Sequence, residues 1–201
     1  MEKKILFTFL YNHKLKFNEI EKLTKIRSNK LCYHIQKLIK KGLLIKEKDF
    51  YKLSDATESL IPYLTDKKAI LPVILIIIKR NKKEIFLYSR IKRPYKNKLS
   101  LPGGRILVGE TIPNATERIM KKKFYIECNF KKINSVSLEQ IKKKNKTIHS
   151  FLLILVTAET KKELAYTNIE KNKKKVILSD YNLIKKDLNK KVSIKGIFSR
   201  I

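Results

Sequence analysis

The sequence predicts an α+β protein of two domains, a small helical domain closed by a β-hairpin and a larger α/β layered domain. Through the first 65 residues apolar side chains recur mainly at helical spacing, and after them they form nearly continuous runs of strand length. The change of texture near residues 65–68 predicts domains at residues 1–66 and 67–201. Apolar residues make up 43% of the chain, which is enough to bury a core.

Three helices are predicted in the first domain before its hairpin. The segment EKKILFTFLYN carries its apolar residues on one helical stripe. Asn18 is a candidate N-cap for a short second helix, and Ser28 for a third helix in SNKLCYHIQKLIKKGLL. Gly42 stands where a left-handed residue would end that third helix.

The hairpin of the first domain is predicted in LLIKEKDFYKLS, with its turn around Lys48 and Asp49. Ser54 is the candidate cap of a last helix, which Pro62 keeps short. This order of elements resembles a winged helix-turn-helix domain over residues 1–64. The segment SNKLCYHIQKLIKKGLLIKEKDFYKLS is similar to the recognition helix and wing of arsenical-repressor-type regulators.

The resemblance implies that the third helix enters the major groove of double-stranded DNA with its N-terminal, solvent-facing residues. Side chains such as Arg27 and Asn29 suit base edges, whereas lysines suit phosphates. The candidate DNA-binding residues are Arg27, Ser28, Asn29, Lys30, Tyr33, His34, Lys37, Lys46 and Lys48. The resemblance also implies a homodimer, while RNA binding or a structural role are the alternatives.

Strands dominate the predicted second domain, with helices between them, which favours an α/β layered arrangement. ILPVILIIIKR and KEIFLYSRIK are predicted to pair across the turn at residues 81–83, with HSFLLILVTAE and KKVILS as further strands. Helices are predicted at about Asn114–Phe124 and in SDYNLIKKDLNKK. The lysine runs at residues 142–146 and 171–175 are expected in mobile loops.

The stretch LPGGRILVGETIPNATERIMKKKFYIE, residues 101–127, resembles the signature of the Nudix family, which cleaves nucleoside diphosphates linked to another group. The family pattern is G-x5-E-x7-R-E-U-x-E-E-x-G-U, where U is a bulky aliphatic residue. Gly104, Glu110 and Arg118 match it with their spacing kept. The resemblance extends over about residues 70–190 and implies an α/β/α sandwich with a mixed sheet.

The acidic residues of that signature are replaced here by Ile119, Lys122 and Lys123, and its last glycine by Tyr125. In the family the three carboxylates share one helix face and converge on divalent metal ions. Two ammonium groups about 4 Å from a divalent ion repel it by several kcal/mol at an effective dielectric near 20. The sequence therefore predicts no metal and no hydrolysis at this helix. The spacing of Glu117, Glu127 and Glu139 does not indicate a replacement metal site.

The scaffold residues of the signature are kept, because Gly103 and Gly104 allow an unusual turn and Glu110 can pair with Arg118. We hypothesise that Lys122 and Lys123 bind ligand phosphates directly in place of a metal, the alternative being two ordinary exposed lysines. The candidate ligand-binding residues are Gly103, Gly104, Arg105, Glu110, Arg118, Lys122 and Lys123. The expected ligand is a nucleotide or nucleotide-sugar.

The charge of the chain indicates a polyanionic partner. The sequence holds 48 Lys and Arg against 18 Asp and Glu, a net charge of +30. Codon drift in an AT-rich genome would enrich Glu along with Lys, so the depletion of acids needs another cause. Residues 1–65 carry 14 basic and 7 acidic side chains and the rest 34 and 11, so most of the excess lies in the second domain.

The cysteine content and the lengths of the apolar runs bear on the cellular compartment of the protein. Cys32 and Cys128 form no disulfide framework, and the three histidines lack metal-ligand spacing. The apolar run at residues 69–78 is too short to cross a bilayer, and the chain does not begin with a signal peptide. We expect a cytoplasmic protein with no membrane partner.

A winged helix joined to a Nudix-like domain resembles Nudix-related transcriptional regulators. The resemblance implies a DNA-binding transcriptional regulator with a non-catalytic Nudix-like domain that senses a nucleotide-like ligand and needs no cofactor. One alternative is a Nudix hydrolase with displaced metal ligands, which would require Mg²⁺. A second is a basic RNA-associated protein that uses both folds as binding surfaces.

Overall fold

The computed structural model describes residues 1–58, 60–63, 69–93 and 95–197. The chain forms two compact units, Met1–Ala69 and Ile70–Ile201. The predicted seam at residues 65–68 lies outside the described residues. Among the described residues no helix has both the length and the apolar character needed to cross a membrane.

The first unit contains three helices followed by a β-hairpin and a short helix, the predicted order of elements. The elements are α1 (Glu2–Thr8), β1 (Leu15–Lys16), α2 (Phe17–Thr24), α3 (Ser28–Lys40), β2 (Leu44–Glu47), β3 (Phe50–Leu53), α4 (Asp55–Glu58) and a 3-10 turn at Ile61–Tyr63. The strands form one antiparallel sheet in the order β1-β3-β2, in which the two-residue β1 was not predicted.

Apolar spacing explains how these helices pack. Leu31, Ile35 and Leu38 recur at i, i+4 and i+7 of α3 and are buried, together with Ile5 of α1 and Ile20 of α2. Full burial of such a side chain contributes about 1.5–3 kcal/mol. The first unit therefore has its own core, which strand residues of the hairpin complete.

Two of the predicted helix caps are wrong. Asn18 lies inside the first turn of α2, where Glu19 instead accepts the backbone N–H of Lys16 at 2.6 Å. Arg27 is the N-cap residue of α3, and the Ser28 hydroxyl donates to Glu21 of α2. The N-cap of each helix therefore lies one or two residues before the predicted cap, and in both cases a carboxylate accepts the nearby donor.

The other predicted turn residues are confirmed. Gly42 has φ +68° after α3, and the hairpin turns at Lys48, which has φ +53°. The Ser54 hydroxyl accepts the backbone N–H of Thr57 at 3.3 Å, which caps α4. It also donates to the carbonyl of Gly42 at 2.6 Å, so the hydroxyl joins α4 to the end of α3.

The second unit is built on a mixed four-stranded sheet in the order β8-β4-β10-β9, with β4 and β10 parallel and the other pairs antiparallel. Two-stranded sheets pair β11 with β5 and β6 with β7. The elements are β4 (Leu71–Ile77), β5 (Glu84–Phe86), β6 (Tyr88–Ser89), β7 (Leu99–Ser100), β8 (Gly103–Arg105), α5 (Ile112–Phe124), β9 (Asn129–Lys143), β10 (Lys146–Glu159), β11 (Tyr166–Asn168) and α6 (Leu178–Asp187).

Alternate side chains of β4 point into two cores. Ile74 and Ile76 pack with Ile119 of α5, whereas Leu75 and Ile77 pack with Ile184 of α6. A strand that is covered on both faces reads as a continuous apolar run, as this one does. The unit is therefore a layered α/β/α arrangement with a mixed sheet, as predicted.

Strand pairing departs from the sequence prediction in the second unit. β5 pairs with β11, which was not predicted. The predicted pairing across the turn at residues 81–83 is confirmed, because residues 78–80 are joined to residues 84–86 by an antiparallel bridge between Lys79 and Ile85 and by two backbone hydrogen bonds. KKVILS is not a strand, because Val176 makes one bridge to Leu99 and α6 begins at Leu178. The 15-residue β9 was missed because its polar residues hide the alternation.

The two lysine runs also have defined places. Lys142 and Lys143 end β9, Lys146 begins β10, and the left-handed pair Lys144 and Asn145 forms the turn between them. Residues 171–175 form a turn that precedes α6. The first run is therefore part of a hairpin, because both strands continue through it, and not a loop as expected.

Asp180 is buried in the first turn of α6, where it accepts hydrogen bonds from the segment that leads into β8. Its Oδ2 accepts the Ser100 hydroxyl at 2.9 Å and the Leu101 backbone N–H at 2.8 Å. Burial is the largest influence on this carboxyl and raises its pKa from 3.8 to about 6, against the opposing effect of those two hydrogen bonds.

We predict that Asp180→Asn leaves the protein at least as stable at pH 7 and up to about 3 kcal/mol more stable, because the raised pKa disfavours the ionised folded state by about that amount. In the wild type this group adds stability as the pH falls from about 6 towards 3.8, and the variant should lose that gain. Urea unfolding across pH measures both effects.

Asp180→Ala is the matched comparison, since it leaves the buried Ser100 hydroxyl and Leu101 N–H without their acceptor and should cost about 1–3 kcal/mol. An Asp180→Asn protein with an unchanged pH profile would contradict the prediction.

Candidate functional site

Close backbone packing explains the two glycines of β8. A Cβ on Gly103 would lie 2.7 Å from the Ile74 carbonyl oxygen of β4, and one on Gly104 would lie 3.0 Å from the Ile119 side chain. Neither glycine has a positive φ, and both pair with β4 in the sheet. The expected unusual turn is therefore wrong, and the glycines instead let β8 approach both β4 and α5.

A bidentate ion pair ties the loop after β8 to α5, as predicted for Glu110 and Arg118. Arg118 Nε donates to Glu110 Oε1, and its Nη2 donates to Oε2 at 2.8 Å. The same Nη2 reaches the Arg105 carbonyl at 2.9 Å, and Glu110 Oε2 also accepts the Leu107 N–H at 2.8 Å. The bond from Arg118 is the main cause of the lowered pKa of Glu110.

The three α5 positions where the Nudix signature has acidic residues follow Arg118, and their side chains have different surroundings. Ile119 is fully buried against β8 and the sheet. Lys122 is exposed, and its charge contributes to the lowered pKa of Glu110. Lys123 donates from Nζ to the Gly103 carbonyl at 2.6 Å. The structure thus brings Gly103, Glu110, Arg118 and Lys123 together at one end of the sheet.

The ammonium group of Lys123 lies in a positively charged environment. The residue keeps exposed surface, yet its Nζ lies against β8, 3.2 Å from where a Gly104 Cβ would be. Its pKa is lowered, first by burial and then by the positive charges of Lys92, Arg118 and Arg90. Sequence analysis missed Arg90 and Lys92, although the basic flank LYSRIKRPYKNK signals them.

The residues at this helix face do not fit a divalent metal ion. An ammonium group is bonded to the Gly103 carbonyl, and an aliphatic side chain fills the next position. Divalent ions of this class require several oxygen ligands. Across the described ranges, no group of three or more His, Cys, Asp or Glu side chains could hold a metal.

The three remaining glutamates of the prediction are not brought together. Glu127 pairs with Lys121 at 3.1 Å on the exposed surface, and Glu117 is exposed on α5. Glu139 instead lines a cavity on the α6 face of the sheet.

Tyr125 ends α5 in a left-handed conformation, with φ +54°. Its backbone N–H donates to the Lys121 carbonyl, and the N–H of Ile126 donates to Met120. The helix therefore ends with the geometry for which glycine is preferred, although tyrosine occupies the position. The conformation costs about 1–2 kcal/mol for a residue with a Cβ.

The cavity on the α6 face has a volume of about 100 Å³. Its polar lining comes from Arg90, Tyr95, Ser100, Glu139 and Asp180, and apolar residues of β4 and β10 complete it. Arg90 acts electrostatically on both Asp180 and Lys123. The cavity was not predicted because its residues come from five separate stretches of the sequence.

The structure describes all nine candidate DNA-binding residues of the first unit. Most are exposed: Arg27, Ser28, Asn29, Lys30, Tyr33 and Lys37 at α3, with Lys46 and Lys48 at the hairpin. The first turn of α3 has no acidic residue. The Ser28 hydroxyl is engaged with Glu21, and Lys46 lies 5.8 Å from the Tyr51 ring.

Two of these candidates face α1. The Nζ of Lys37 lies 3.2 Å from Glu2 Oε1, and hydrogen bonding to Glu2 raises the pKa of Lys37. His34 is half-buried, with its Nδ1 4.0 Å from the same carboxylate oxygen. The N-terminal turn of α3, from Arg27 to Lys30, is therefore its more accessible part.

Comparison with solved structures identifies the fold. A Nudix hydrolase from Nitrosomonas europaea is 14% identical, and the match covers 65% of this chain and 98% of that one with a TM-score of 0.50. The MutT protein from Methanosarcina mazei Go1 is 15% identical, with coverage of 60% and 94% and a TM-score of 0.49. No protein-family model and no curated protein matches the sequence. The first likeness shows a Nudix-like fold, while the winged-helix assignment stays a prediction.

We predict that Glu110→Gln lowers the melting temperature at pH 7, because the substitution removes the ion pair that ties the loop to α5. Since the folded-state pKa of Glu110 is lowered, its contribution is present above about pH 4.5 and disappears as the pH falls through the folded-state pKa. The difference from wild type should shrink accordingly in thermal melts at acidic pH. Amide exchange at Leu107 should also become faster.

Glu127→Gln is the control, because it breaks the exposed ion pair between Glu127 and Lys121 of α5. The side chains of these two residues are 85% and 71% exposed, respectively. Equal destabilisation by both substitutions would argue against a special role for the Glu110 pair.

Proposed function

We propose that this chain is a DNA-binding transcriptional regulator whose Nudix-like unit binds a phosphate-bearing, nucleotide-like ligand without hydrolysing it. The observation that carries the proposal is the bond from the Lys123 ammonium to the Gly103 carbonyl. It puts a protein cation on the helix face where Nudix enzymes carry metal-binding carboxylates. A phosphate that entered this site would meet a positive charge without any metal.

The charges around Lys123 favour an anionic ligand. The pKa of Lys123 is lowered first by burial and then by Lys92, Arg118 and Arg90, so these cations repel one another in the free protein. A bound phosphate would relieve their repulsion and accept charge-assisted hydrogen bonds from them. Glu110 also belongs to this site, but its negative charge is already paired with Arg118.

The first unit supplies the proposed DNA contact through α3. As a winged helix-turn-helix, it would insert the turn from Arg27 to Lys30 into the major groove and place Lys46 and Lys48 of the hairpin near phosphates. A pseudo-palindromic site and a homodimer follow from the same assignment. Ligand binding would change DNA affinity only if the ligand prefers one of two arrangements of the chain.

We predict that a nucleoside diphosphate or nucleotide-sugar binds in the presence of EDTA and that Lys123→Ala weakens it by at least tenfold. Hydrogen bonds to charged groups are worth about 1.5–3 kcal/mol, and 1.4 kcal/mol corresponds to a tenfold change. Affinity should also decline as the pH rises towards 10.5, earlier than for an ordinary lysine, because the pKa of Lys123 is lowered. Isothermal calorimetry measures both effects.

Lys121→Ala is the matched control, since Lys121 lies on the same helix and contacts Glu127 instead of Gly103. Loss of binding on removal of divalent metal, or release of phosphate or nucleotide products with Mg²⁺ or Mn²⁺, would favour the hydrolase alternative and overturn the proposal.

For the first unit, we predict that Lys30→Ala weakens duplex DNA binding uniformly across sequences and reduces the slope of log affinity against log salt by about 1. Asn29→Ala should instead relax sequence preference, by about 1–3 kcal/mol at the base it contacts. Mobility shifts over a salt series would measure both.

Lys40→Ala, at the C-terminal end of the same helix, provides the control. The DNA half of the proposal fails if all three variants bind DNA as wild type does, or if structured RNA binds more tightly than duplex DNA.

A further inference from the structure

We propose that the tip of the β9–β10 hairpin is a second DNA-binding element, a basic ribbon that docks on duplex DNA. We define the basic ribbon as residues 140–150. It goes beyond the contact proposed for α3, because it lies in the other unit and needs neither α3 nor a ligand at Lys123. It does rest on the proposal that the chain binds DNA.

The basic ribbon extends past the body of the sheet. β4 pairs with β10 only from Phe151 onward, so residues Lys146 to Ser150 have β9 as their one pairing partner among the described strands. At about 3.3 Å per residue, this two-stranded part reaches about 15 Å beyond the four-stranded sheet. Residues 142–149 are all exposed.

The turn of the basic ribbon is tight. Lys144 has φ +46° and Asn145 has φ +60°, so the two-residue connection has positive φ at both positions, as in a type I′ hairpin. This turn matches the twist of the flanking strands. The four lysines, Lys142, Lys143, Lys144 and Lys146, are therefore held by a paired hairpin and not by a loose loop.

The charge of the basic ribbon has no internal compensation. No acidic residue lies between Gln140 and Ser150, and none of the four lysines forms an ion pair with any described residue. Lys143 and Lys146 are directly opposite each other across the strands. Like charges in that position destabilise a hairpin, so the arrangement works against folding and suits an anion placed beside it.

Duplex DNA is the partner that this shape and charge fit. The major groove of B-DNA is about 12 Å wide and admits a two-stranded β-ribbon, whereas the major groove of duplex RNA is too narrow for side chains to read. Lysines on such a ribbon can reach phosphates along the groove edges. The excess charge of the second unit, noted from the sequence, is consistent with such a contact.

The test is a salt series of duplex DNA binding by fluorescence anisotropy with the full chain. The triple variant Lys142→Gln, Lys143→Gln and Lys146→Gln keeps the turn residues and removes three charges. The slope of log affinity against log salt should become shallower by about 0.9 for each phosphate that the variant no longer neutralises, up to about 2.7. Its melting temperature at low salt should be equal or higher, because the repulsion between Lys143 and Lys146 is removed.

The control variant Lys171→Gln, Lys174→Gln and Lys175→Gln removes the same charge from the turn before α6. An equal change of slope in both triple variants would mean a bulk charge effect and would overturn the proposal, as would duplex RNA binding that exceeds DNA binding with the same dependence on the ribbon. Should the triple variant melt early, the single variants Lys143→Gln and Lys146→Gln give the same comparison, each with an expected change of about 0.9.

The α3 variant Lys30→Ala separates the two proposals. If it weakens binding and the ribbon variant does not, the ribbon proposal fails and the proposed function stands. If only the ribbon variant weakens binding, the α3 contact fails and the ribbon stands. A full chain that does not bind duplex DNA overturns both.

Discussion

The contact of β8 with its two neighbours is the steric constraint on which the second unit depends. Gly103 and Gly104 have no side chains, so β8 can lie against the Ile74 carbonyl on one side and Ile119 of α5 on the other. That closeness brings the Gly103 carbonyl within 2.6 Å of the Lys123 ammonium. It also starts the loop that Glu110 and Arg118 tie back to the helix. A side chain at Gly103 would clash with the Ile74 backbone, and one at Gly104 would crowd Ile119 and the Lys123 ammonium.

The positive charge of this region arises because Ile119, Lys122 and Lys123 stand where the Nudix signature has acidic residues, while the signature's first glycine and its Glu–Arg pair are kept. The ion pair and the glycines hold the loop and the helix together, while Ile119 and Lys123 occupy places from which acidic side chains would bind a cation. The pKa of Lys123 is lowered first by burial and then by the positive charges of Lys92, Arg118 and Arg90. On the proposal made above, such a site would attract anions without the water-activating metal that hydrolysis of a diphosphate requires.

The two units combine positive charge with different kinds of shape. The first presents an exposed helix turn, and the second a cationic site at the sheet end and a projecting ribbon. The proposed binding of nucleic acid would depend strongly on salt in both units, because each lysine–phosphate contact releases counterions. Inside the second unit, the buried Asp180 accepts a hydrogen bond from the segment that leads into β8 and so orients it. Burial of this carboxyl is unfavourable when the group is ionised, as its raised pKa shows.

The sequence by itself determined the local features: the helices α3 and α5, the left-handed Gly42 and the cap at Ser54 all follow from spacing within a dozen residues. The pairing of Glu110 with Arg118 was implied by the resemblance to the Nudix signature. The tertiary structure alone decided which strands pair, because β5 joins β11 over a separation that apolar patterns do not encode. It also decided that the glycines serve close packing and that Arg90 and Asp180 share a cavity. Local propensity acts over a few neighbours, whereas packing and long-range charge act between residues that only the folded chain brings together.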